Sequence, residues 1–468
     1  MHYHPTTKSS VLIGLTLLLS LTGFQCTKGV SQEVAQANRP VTIKWWRTFE
    51  DEIAVRPIIE AYKTLHPNVT IEYRKLRFAD YESELINALA EDRGPDIISV
   101  HASQVREFEP KLAPLPETIT LPFQEITGLI SKEVTVTLKT TPSLTPGALK
   151  ESFVDTVAKD VIIPAVDEKG QPRNRIYGLP LSLDTMVLYA NRDLLNLAGI
   201  PETPKTWIEL QAAIKKLTKL SSDGTIIQSG AALGTAHNVE RASDILALLM
   251  MQNGAEMIDE SGSAVFNRTP PGAVRATASP GEQALTFYTD FANPQNESYT
   301  WSAALPNSLE AFLSGRTAIF FGYAYHLPLI RARAGRMNLT VAKVPQIEGN
   351  PEVNFANYWV EAVSRKSAHQ DFAWDFIQFA SSPKHVGSYL AATSKPTALR
   401  ALISSQAGNE YESVFVSEVL TARNWYHGNS AQTAQDALLG AIDATLAGGR
   451  DSREILNIAA QRVQQTLR

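Results

Sequence analysis

The carboxylate of Asp184 stands inside the mostly apolar run "LPLSLDTMVLYANRD" at residues 179–193. An ionised carboxylate offers about four lone-pair sites and accepts paired hydrogen bonds from neighbouring hydroxyl groups. A carboxylate in such a segment therefore indicates either a contact to a polar ligand or a side chain that caps or pins the local backbone. The sequence alone leaves both interpretations open.

Aromatic residues in loop-like positions are the second feature that suggests binding. The chain has 7 Trp, and several stand in polar segments rather than at helical spacing. Sugars present apolar C–H faces and rims of hydroxyls, so a sugar pocket combines flat aromatic rings with charged or amide groups that form hydrogen bonds. By contrast, Trp207 and Trp374 fall inside amphipathic helical patterns, which is typical of core residues.

The usual motifs of catalysis are missing from the sequence. We find no Gly-x-Ser-x-Gly elbow, no His-Glu-x-x-His helix, no phosphate-binding loop with its Lys and no dinucleotide fingerprint. The 9 His are scattered without the spacing of metal ligands. Paired carboxylates for glycoside hydrolysis depend on separation in space, which a sequence does not give. We therefore expect a binding protein rather than an enzyme, with no cofactor and no metal.

Length and charge limit the class of protein. With 468 residues the chain is long enough for two domains of roughly 150–250 residues, each with its own core. Hydrophobic residues make up 44% of the chain and charged residues 19%, which fits a folded soluble protein. A net charge of -5 spread along the whole chain provides no basic face, so we expect no nucleic-acid partner.

The first 25 residues have the pattern of a signal peptide for export. Lys8 precedes the apolar run "VLIGLTLLLSLTGF" at residues 11–24, which suits a secretory signal but is short of the ~20 residues that span a bilayer. Cys26, the only cysteine, follows directly, so we expect a thioether-linked lipid anchor there. The three residues before it depart from the usual lipoprotein box, and the alternative is that Cys26 is removed with the signal. Residues 26–38 form a polar tether.

From Val41 onward short β-rich runs alternate with amphipathic helices. The order β-α-β-α-β is typical of a mostly parallel sheet with helices on its faces. The pattern predicts these first elements at residues 41–46, 58–65, 69–73, 85–89 and 96–100.

Residues 113–161 interrupt this rhythm. They contain segments rich in Pro and Thr and predict a long surface excursion with one helix at about 146–159. The α/β rhythm then resumes with a strand at 185–191 and a helix that begins at a capping box of Thr206 and Glu209. Further helices are predicted at 242–252, 282–291, 309–313, 371–380 and 432–467, and further strands at 317–321 and 339–344.

Seven stretches occur in an order that matches a known family. They are "WWRTFEDE", "IIEAYKTLHPNVTIEY", "YESELINALAEDRGPDI", "YGLPLSLDTMVLYANRDLLNLAGIPETPKTWIEL", "MMQNGAEMID", "SLEAFLSGRTAIFFGYAYHL" and "FAWDFIQFASSPKHVGSYL". Together they resemble the extracellular solute-binding proteins of bacterial ABC importers, in the family-1 group that contains the maltose-binding protein. The resemblance covers about residues 41–467 apart from the excursion.

The resemblance implies an α/β fold of two hinge-linked lobes, the type II fold of periplasmic binding proteins, with a ligand cleft between them. On this basis lobe 1 comprises residues 39–184 and about 356–394, with the excursion at 113–161 inserted in it. Lobe 2 comprises residues 185–350 and about 397–468.

The family fold also implies three chain crossings between the lobes. They are expected near Asp184, at Val344 to Trp359 and at Lys395 to Pro396. The first crossing places Asp184 at the hinge, facing the cleft. Its carboxylate is then either a ligand contact or the group that pins the hinge backbone.

The resemblance implies a set of ligand-binding residues in the cleft. Tyr323 and Tyr325 hold the positions where the maltose-binding branch carries stacking tryptophans, whereas Val100 stands where that branch has Trp, so specificity for maltodextrins is not implied. For each aromatic residue the alternative is ordinary packing, and His101 is interpreted as a structural histidine. The candidate set is Trp46, Thr48, Glu50, Asp184, Trp301, Tyr323, Tyr325, Tyr358, Trp359 and Trp425.

The functional expectation is a monomeric receptor, exported to the periplasm or cell surface, that captures a mono- or oligosaccharide and delivers it to the permease of an ABC transporter. Two alternatives stay open. One is a sensory binding protein that presents its closed form to a chemoreceptor or kinase. The other is a non-sugar ligand such as a polyamine, since Asp184 and Glu50 could hold an amine by ion pairing and cation–π contacts.

Overall fold

A computed structural model describes residues 32–127, 133–166, 170–270, 277–408 and 410–467. The predicted signal peptide and Cys26 lie outside these residues. Within the described part of the chain, no helix has both the length and the apolar character needed to cross a membrane.

The first sheet is mixed. Its three leading strands run parallel, and Trp359–Ser364 joins them antiparallel to Ile97–His101. Side chains of the first strand alternate between its two faces, so Val41 and Ile43 are buried and Thr42 between them is exposed. In spatial order the strands are Val69–Lys75, Val41–Arg47, Ile97–His101, Trp359–Ser364 and Leu112–Ala113, with Leu179–Pro180 also paired to Trp359–Ser364.

The second sheet has five strands. Its two central strands, Thr317–Gly322 and Val187–Asn191, are buried along their whole length, which explains why they are continuous apolar runs in the sequence. They pair with each other antiparallel. In spatial order the strands are Lys219–Leu220, Ile226–Ala231, Thr317–Gly322, Val187–Asn191 and Leu339–Lys343.

A small third sheet links the other two. It contains Asp184–Thr185, Asn354–Asn357 and Ala422–Arg423 side by side. The fully buried side chain of Asn354 fixes this linking sheet, because its Nδ2 donates to Met186 O at 2.9 Å and to Glu418 Oε2 at 2.9 Å.

Two large hydrophobic clusters flank the linking sheet. One comes from residues 41–183 and 356–422, and the other from residues 186–355 and 425–463. Between Lys395 and Trp425 the chain contacts both sides of the molecule, because Phe415 packs with Val187 and Tyr189 of the second sheet whereas Val416, Val419 and Ala422 lie in the first cluster. The crossing expected at Lys395 to Pro396 stays a prediction. The chain touches the first crossing at Pro396, whose carbonyl accepts from Leu183 N at 3.0 Å. It then returns to the first cluster, because Ala398 and Leu399 pack there.

The excursion is more ordered than its composition suggested. Thr118–Thr127 and Glu133–Pro142 form an antiparallel hairpin whose Ile119 and Leu121 are buried in the first cluster. A second hairpin follows, made of Ile162–Val166 and Pro172–Ile176.

The predicted single helix at 146–159 is in fact two, Pro146–Ser152 and Asp155–Val161. Phe153 separates them because it is extended and bridges to Leu399.

The helices carry the start and stop signals expected from the sequence. The capping box of Thr206 and Glu209 is present at the start of Trp207–Leu217. The predicted helix at 432–467 is broken into two, because Gly448 and Gly449 both adopt positive φ. The α-helices are Gln32–Ala37, Glu52–Leu65, Phe78–Ala90, Val105–Phe108, Pro146–Ser152, Asp155–Val161, Arg192–Leu197, Trp207–Leu217, Ala242–Gln252, Pro280–Asp290, Ser308–Leu313, His326–Arg333, Gln370–Ala380, Pro383–Thr393, Ile403–Gln406, Glu412–Ser417, Ala431–Ala447 and Ser452–Gln465.

Candidate functional site

A cavity of about 570 Å³ lies between the two sheets, and we call it the cleft cavity. From the first sheet it receives the loop after Val41–Arg47, the end of Ile97–His101 and the start of helix Phe78–Ala90. From the second side it receives Arg241, Tyr325 and the start of helix Ala431–Ala447. Of the described excursion residues, none lines it.

Six of the ten predicted ligand-binding residues line the cleft cavity. Four belong to the first-sheet side, one stands on the linking sheet and one on the second side. They are Thr48, Glu50, Asp184, Tyr325, Tyr358 and Trp359.

The other four predicted residues are packed elsewhere. Trp301 is fully buried in the second cluster, where its Nε1 donates to Asn238 Oδ1 at 3.2 Å. Tyr323 is also fully buried and donates to Asp244 Oδ2 at 2.6 Å. Trp425 borders a separate cavity of only about 20 Å³.

Trp46 was expected at the cleft because alternation sends it and Trp45 to opposite faces of the sheet. Both faces of this sheet are covered, so both rings are buried. Trp45 Nε1 donates to Glu361 Oε2 at 2.6 Å, whereas the guanidinium of Arg74 lies 4.6 Å from the centre of the Trp46 ring.

Asp184 pins the local backbone, which is one of the two interpretations that the sequence left open, and it also lines the cleft cavity. Its Oδ1 accepts from the backbone N–H groups of Thr185 and Ala324, both at 2.9 Å, so it pins the linking sheet to the turn after Thr317–Gly322. Its Oδ2 accepts no hydrogen bond of normal geometry from the described residues. Burial raises the pKa of Asp184 to about 7, although the backbone donors and the charge of Lys395 oppose this shift.

A chain of buried charges forms one wall of the cleft cavity. Glu50 accepts from Lys395 Nζ and pairs with Arg47 Nη2 at 3.4 Å. Burial alone would raise the pKa of Glu50, but Arg47 and Lys395 outweigh it, so the pKa is lowered and the carboxylate stays ionised. Because both oxygens of Glu50 are engaged, the groups that it offers a ligand are the two cations that it holds.

Glu361 is a second carboxylate that holds the charged residues of this wall in place. It is buried and forms an ion pair with Arg47 Nε at 3.1 Å. Ser99 Oγ donates to its Oε2 at 2.8 Å. Burial raises the pKa of Glu361, and the charge of Arg47 opposes that shift. Arg47 is thus held between two carboxylates, Glu50 and Glu361, which fixes where its guanidinium stands.

Trp359 lies at the centre of a group of rings on the first-sheet side. Its ring meets Phe49 edge-on with centroids 5.7 Å apart, and Phe78 edge-on at 6.2 Å. Tyr81 and His101 contact it in the same edge-on manner, at 6.0 and 5.5 Å. Edge-to-face contacts at these distances are favourable and hold the Trp359 ring in one orientation.

His101 is tied into the wall at both ring nitrogens. Its Nε2 lies 2.9 Å from Asn357 Oδ1, an acceptor, so the proton belongs on Nε2. Its Nδ1 then accepts from the hydroxyl of Ser103 at 2.7 Å. Burial lowers the pKa of His101, so the ring is neutral at pH 7.

Arg241 and Tyr325 face the cleft cavity from the second side. Arg241 is paired with Asp244, with Nε and Nη2 both 2.7 Å from Oδ2. Tyr325 stacks on Tyr323 with ring centroids 5.8 Å apart and remains 42% exposed. Tyr323 therefore supports the exposed ring rather than forming the wall itself.

Tyr358 is fixed by an acid behind the cleft cavity. Its hydroxyl donates to Asp160, and His427 Nε2 lies 2.6 Å from the other oxygen of that carboxylate. Asp160 comes from helix Asp155–Val161 and His427 from the segment that leads into helix Ala431–Ala447. This contact joins the two sides of the molecule.

Several wall residues were missed by sequence reasoning. Arg47 and Arg241 had no motif, and Phe78 reads as one more apolar residue near the start of a helix. Lys395 was noted only as part of a crossing. One signal was available: Phe78 does not belong to the buried stripe of its helix, which runs through Tyr81, Leu85, Ala88 and Leu89.

The wall is suited to reversible hydrogen bonding and ring contact. Charged, amide and hydroxyl groups stand beside exposed aromatic faces, which is the combination that binds polyols. Among the described residues, no group of three or more His, Cys, Asp or Glu is arranged to hold a metal ion.

Comparison with known proteins places this geometry in context. A curated relative, the galactooligosaccharide-binding protein of Bacillus subtilis (strain 168), is 21% identical over 267 residues. The match covers 57% of this chain and 59% of that protein, so the chain spans less than two thirds of the relative's length.

Solved structures resemble the whole described fold. The GacH receptor of Streptomyces glaucescens, studied unliganded and with acarbose, superposes with a TM-score of 0.66 at 19% identity, over 92% of this chain and 98% of that one. The cyclic α-maltosyl-1,6-maltose-binding protein of Arthrobacter globiformis gives the same TM-score at 19% identity, over 92% and 99%. These similarities confirm the predicted two-lobe α/β fold.

The sequence profile of the bacterial extracellular solute-binding proteins matches residues 50–386, more than half of the chain. The resemblance inferred from the seven ordered stretches is thereby confirmed. The chain belongs to the bacterial extracellular solute-binding protein family.

Proposed function

We propose that the protein captures a carbohydrate in the cleft cavity and delivers it to the membrane permease of an ABC transporter. The observation that carries this proposal is the wall itself, where Phe49, Trp359 and Tyr325 stand next to a buried chain of charges. The relatives support it, since their names or described complexes concern galactooligosaccharides, acarbose and a cyclic maltosyl-maltose.

The proposed contacts divide by chemistry. The rings of Trp359 and Tyr325 contact the C–H faces of the sugar from opposite sides of the cavity. Arg47 and Lys395, both held by Glu50, donate to hydroxyl oxygens, and Asp184 accepts from or donates to a hydroxyl according to its protonation state. Thr48 and Tyr358 complete the first-sheet side of the wall.

Binding is coupled to closure in this proposal. The lobes are those expected from the sequence, joined at the linking sheet. Ligand contacts from both sides form together only in the closed form, so the ligand shifts the population toward it. The contact between His427 and Asp160 joins the two sides and therefore adds to the closed form.

The cellular setting is also part of the proposal. The protein is exported, acts as a monomer outside the cytoplasm, and is held at the membrane by lipid on Cys26 through the tether of residues 26–38. The membership of the chain in an extracellular family supports this setting.

A cationic ligand is the second candidate. Four carboxylates line the cleft cavity, those of Glu50, Glu82, Glu107 and Asp184. Arg47, Arg241 and Lys395 also line it, but among the described residues none forms an ion pair with Asp184. A polyamine or amino sugar would place its ammonium group there.

Isothermal titration of residues 38–468 tests both candidates. The panel contains lactose, galactobiose, maltose, maltotriose, spermidine and glycine. Saturable binding of at least one saccharide, with a concentration-dependent rise in melting temperature, supports the proposal. Binding of spermidine alone replaces it with the cationic alternative, and binding of no panel member at millimolar concentration contradicts the carbohydrate assignment.

A further inference from the structure

Two phenylalanine rings form an exposed apolar shelf at the cleft cavity. Phe49 and Phe78 stack with centroids 5.4 Å apart and planes inclined by 27°. They are 49% and 63% exposed, although large apolar side chains are usually covered. We call this pair the Phe shelf.

The backbone under the Phe shelf is held in a costly conformation. Phe49 has φ of 68°, a left-handed value that is uncommon for a residue with a Cβ. Neighbouring contacts impose it: Glu50 N donates to Thr48 O at 2.9 Å, and Tyr73 Oη donates to Glu50 O at 2.6 Å. Strain and apolar exposure at one residue indicate a functional position.

The Phe shelf differs chemically from the rest of the wall. Phenylalanine has no polar group at its ring edge, unlike the Trp and Tyr rings that usually meet sugars. The charged wall begins next to it, since Lys395 Nζ lies 6.0 Å from the centre of the Phe49 ring. The cleft cavity therefore has an apolar end and a charged end within one ligand's length.

We propose that the ligand is a glycoside with an apolar substituent, such as an aryl or alkyl group, and that this substituent lies on the Phe shelf. The saccharide part occupies the charged end, against Arg47, Lys395 and Asp184. This inference rests on the proposed carbohydrate function and adds that the ligand carries an apolar group besides its sugar. Covering the shelf removes both exposed rings from water, which favours binding.

Matched glycosides test the proposal by isothermal titration. The probes are methyl and phenyl β-D-galactopyranoside, methyl and phenyl α-D-glucopyranoside, and lactose and maltose as two-ring controls. In the unmodified protein the phenyl glycoside of the recognised sugar is expected to bind about tenfold more tightly than its methyl counterpart.

The variants Phe78→Ser and Phe49→Ser are expected to reduce this ratio to about twofold, because half of the shelf is lost. The control is Ile208→Ser, which removes a 73% exposed side chain near the start of another helix, far from the cavity wall. It is expected to keep the tenfold ratio. Melting temperatures of all variants report whether they fold.

Four results overturn the proposal. If methyl and phenyl glycosides bind with equal affinity, the protein does not recognise an apolar substituent. If the tenfold preference for the phenyl glycoside persists in both Phe78→Ser and Phe49→Ser, the substituent does not lie on the Phe shelf. Lactose or maltose could bind more tightly than the methyl glycoside by the same factor as the phenyl glycoside does. If that gain in affinity is lost in Phe78→Ser, the Phe shelf binds a second sugar ring. Binding of no saccharide at all contradicts the proposed function as well, whereas the first three results leave it standing.

Discussion

Asp184 Oδ1 accepts a hydrogen bond at 2.9 Å from the backbone N–H of Ala324. Asp184 begins the linking sheet, and Ala324 follows the central strand Thr317–Gly322 of the second sheet. One carboxylate therefore ties the joint between the sheets to the turn that presents Tyr325 to the cleft cavity. The state of this carboxylate bears on both folding and ligand contact.

The first prediction concerns the protonation of Asp184. Its pKa is raised from 3.8 to about 7, so the folded state binds this proton more tightly than the unfolded chain does. The stabilising contribution is then fully present below pH 3.8 and is lost as the pH rises through 7. Asn cannot ionise, so Asp184→Asn should gain stability relative to the unmodified protein, by roughly 2–4 kcal/mol, between acidic and neutral pH.

Urea unfolding at several pH values measures this difference. The control is Asp51→Asn, because Asp51 is 77% exposed and its ion pair among the described residues is with the exposed Lys75. A constant difference between Asp184→Asn and the unmodified protein over this range would show that Asp184 is ionised throughout.

The second prediction concerns the buried pair of Glu50 and Lys395. Glu50→Gln leaves the buried Lys395 without its carboxylate, and Lys395→Met leaves the buried Glu50 with Arg47 alone, so each variant should cost roughly 2–4 kcal/mol of unfolding free energy. The double variant should cost less than the sum of the two. The exposed pair of Asp51 and Lys75, at 2.9 Å, should show coupling below about 1 kcal/mol in the same double-mutant cycle. Additive effects at Glu50 and Lys395 would contradict the pairing.

The third prediction separates two tryptophans that the sequence treated alike. Trp359→Leu should weaken saccharide binding by roughly 10- to 100-fold, because Trp359 lines the cleft cavity. Trp301→Leu should lower the melting temperature with little change in affinity, because Trp301 is buried in the second cluster. Titration calorimetry and thermal unfolding of both variants give the comparison, and the reverse pattern would move the binding site.

The fourth prediction concerns His101. Burial lowers its pKa, so below its ordinary value of 6.5 the unfolded chain takes up a proton that the folded state refuses. Stability from this residue is therefore present above pH 6.5 and is lost as the pH falls below it, opposite in sign to Asp184. The difference in unfolding free energy between His101→Asn and the unmodified protein should therefore become smaller as the pH falls. Nitrogen NMR should show the proton on Nε2, and a proton on Nδ1 would contradict the hydrogen bond to Asn357.

Local patterns predicted most of the strands and helices. The two central strands of the second sheet were visible because both faces are buried, and the helix at Thr206 was visible because its capping box is a local signal. The hairpin of residues 118–142 was missed, since its buried Ile119 and Leu121 alternate within a Pro- and Thr-rich segment. The contacts of residues 396–425 could not be predicted, because Leu399 pairs with a distant partner, Phe153, whereas Phe415 packs on the second sheet.

Sequence reasoning predicted the cavity-lining residues that lie at or next to the ends of strands. Thr48, Asp184 and Trp359 follow or form strand ends, and such ends meet at the cavity. Trp301 and Tyr323 stand in similar polar loops, yet their rings turn inward to Asn238 and Asp244, a choice that only the folded surroundings decide. Arg47 and Lys395 are 348 positions apart in the numbering and share Glu50, so neither could be recognised from its neighbours.

The linking sheet also restricts how the protein can move. Three strands bonded edge to edge flex easily about the line of their hydrogen bonds but resist torsion and sliding, because either would break several bonds at once. The two halves should therefore rotate about one hinge axis, and they should return to the same relative orientation each time the protein closes.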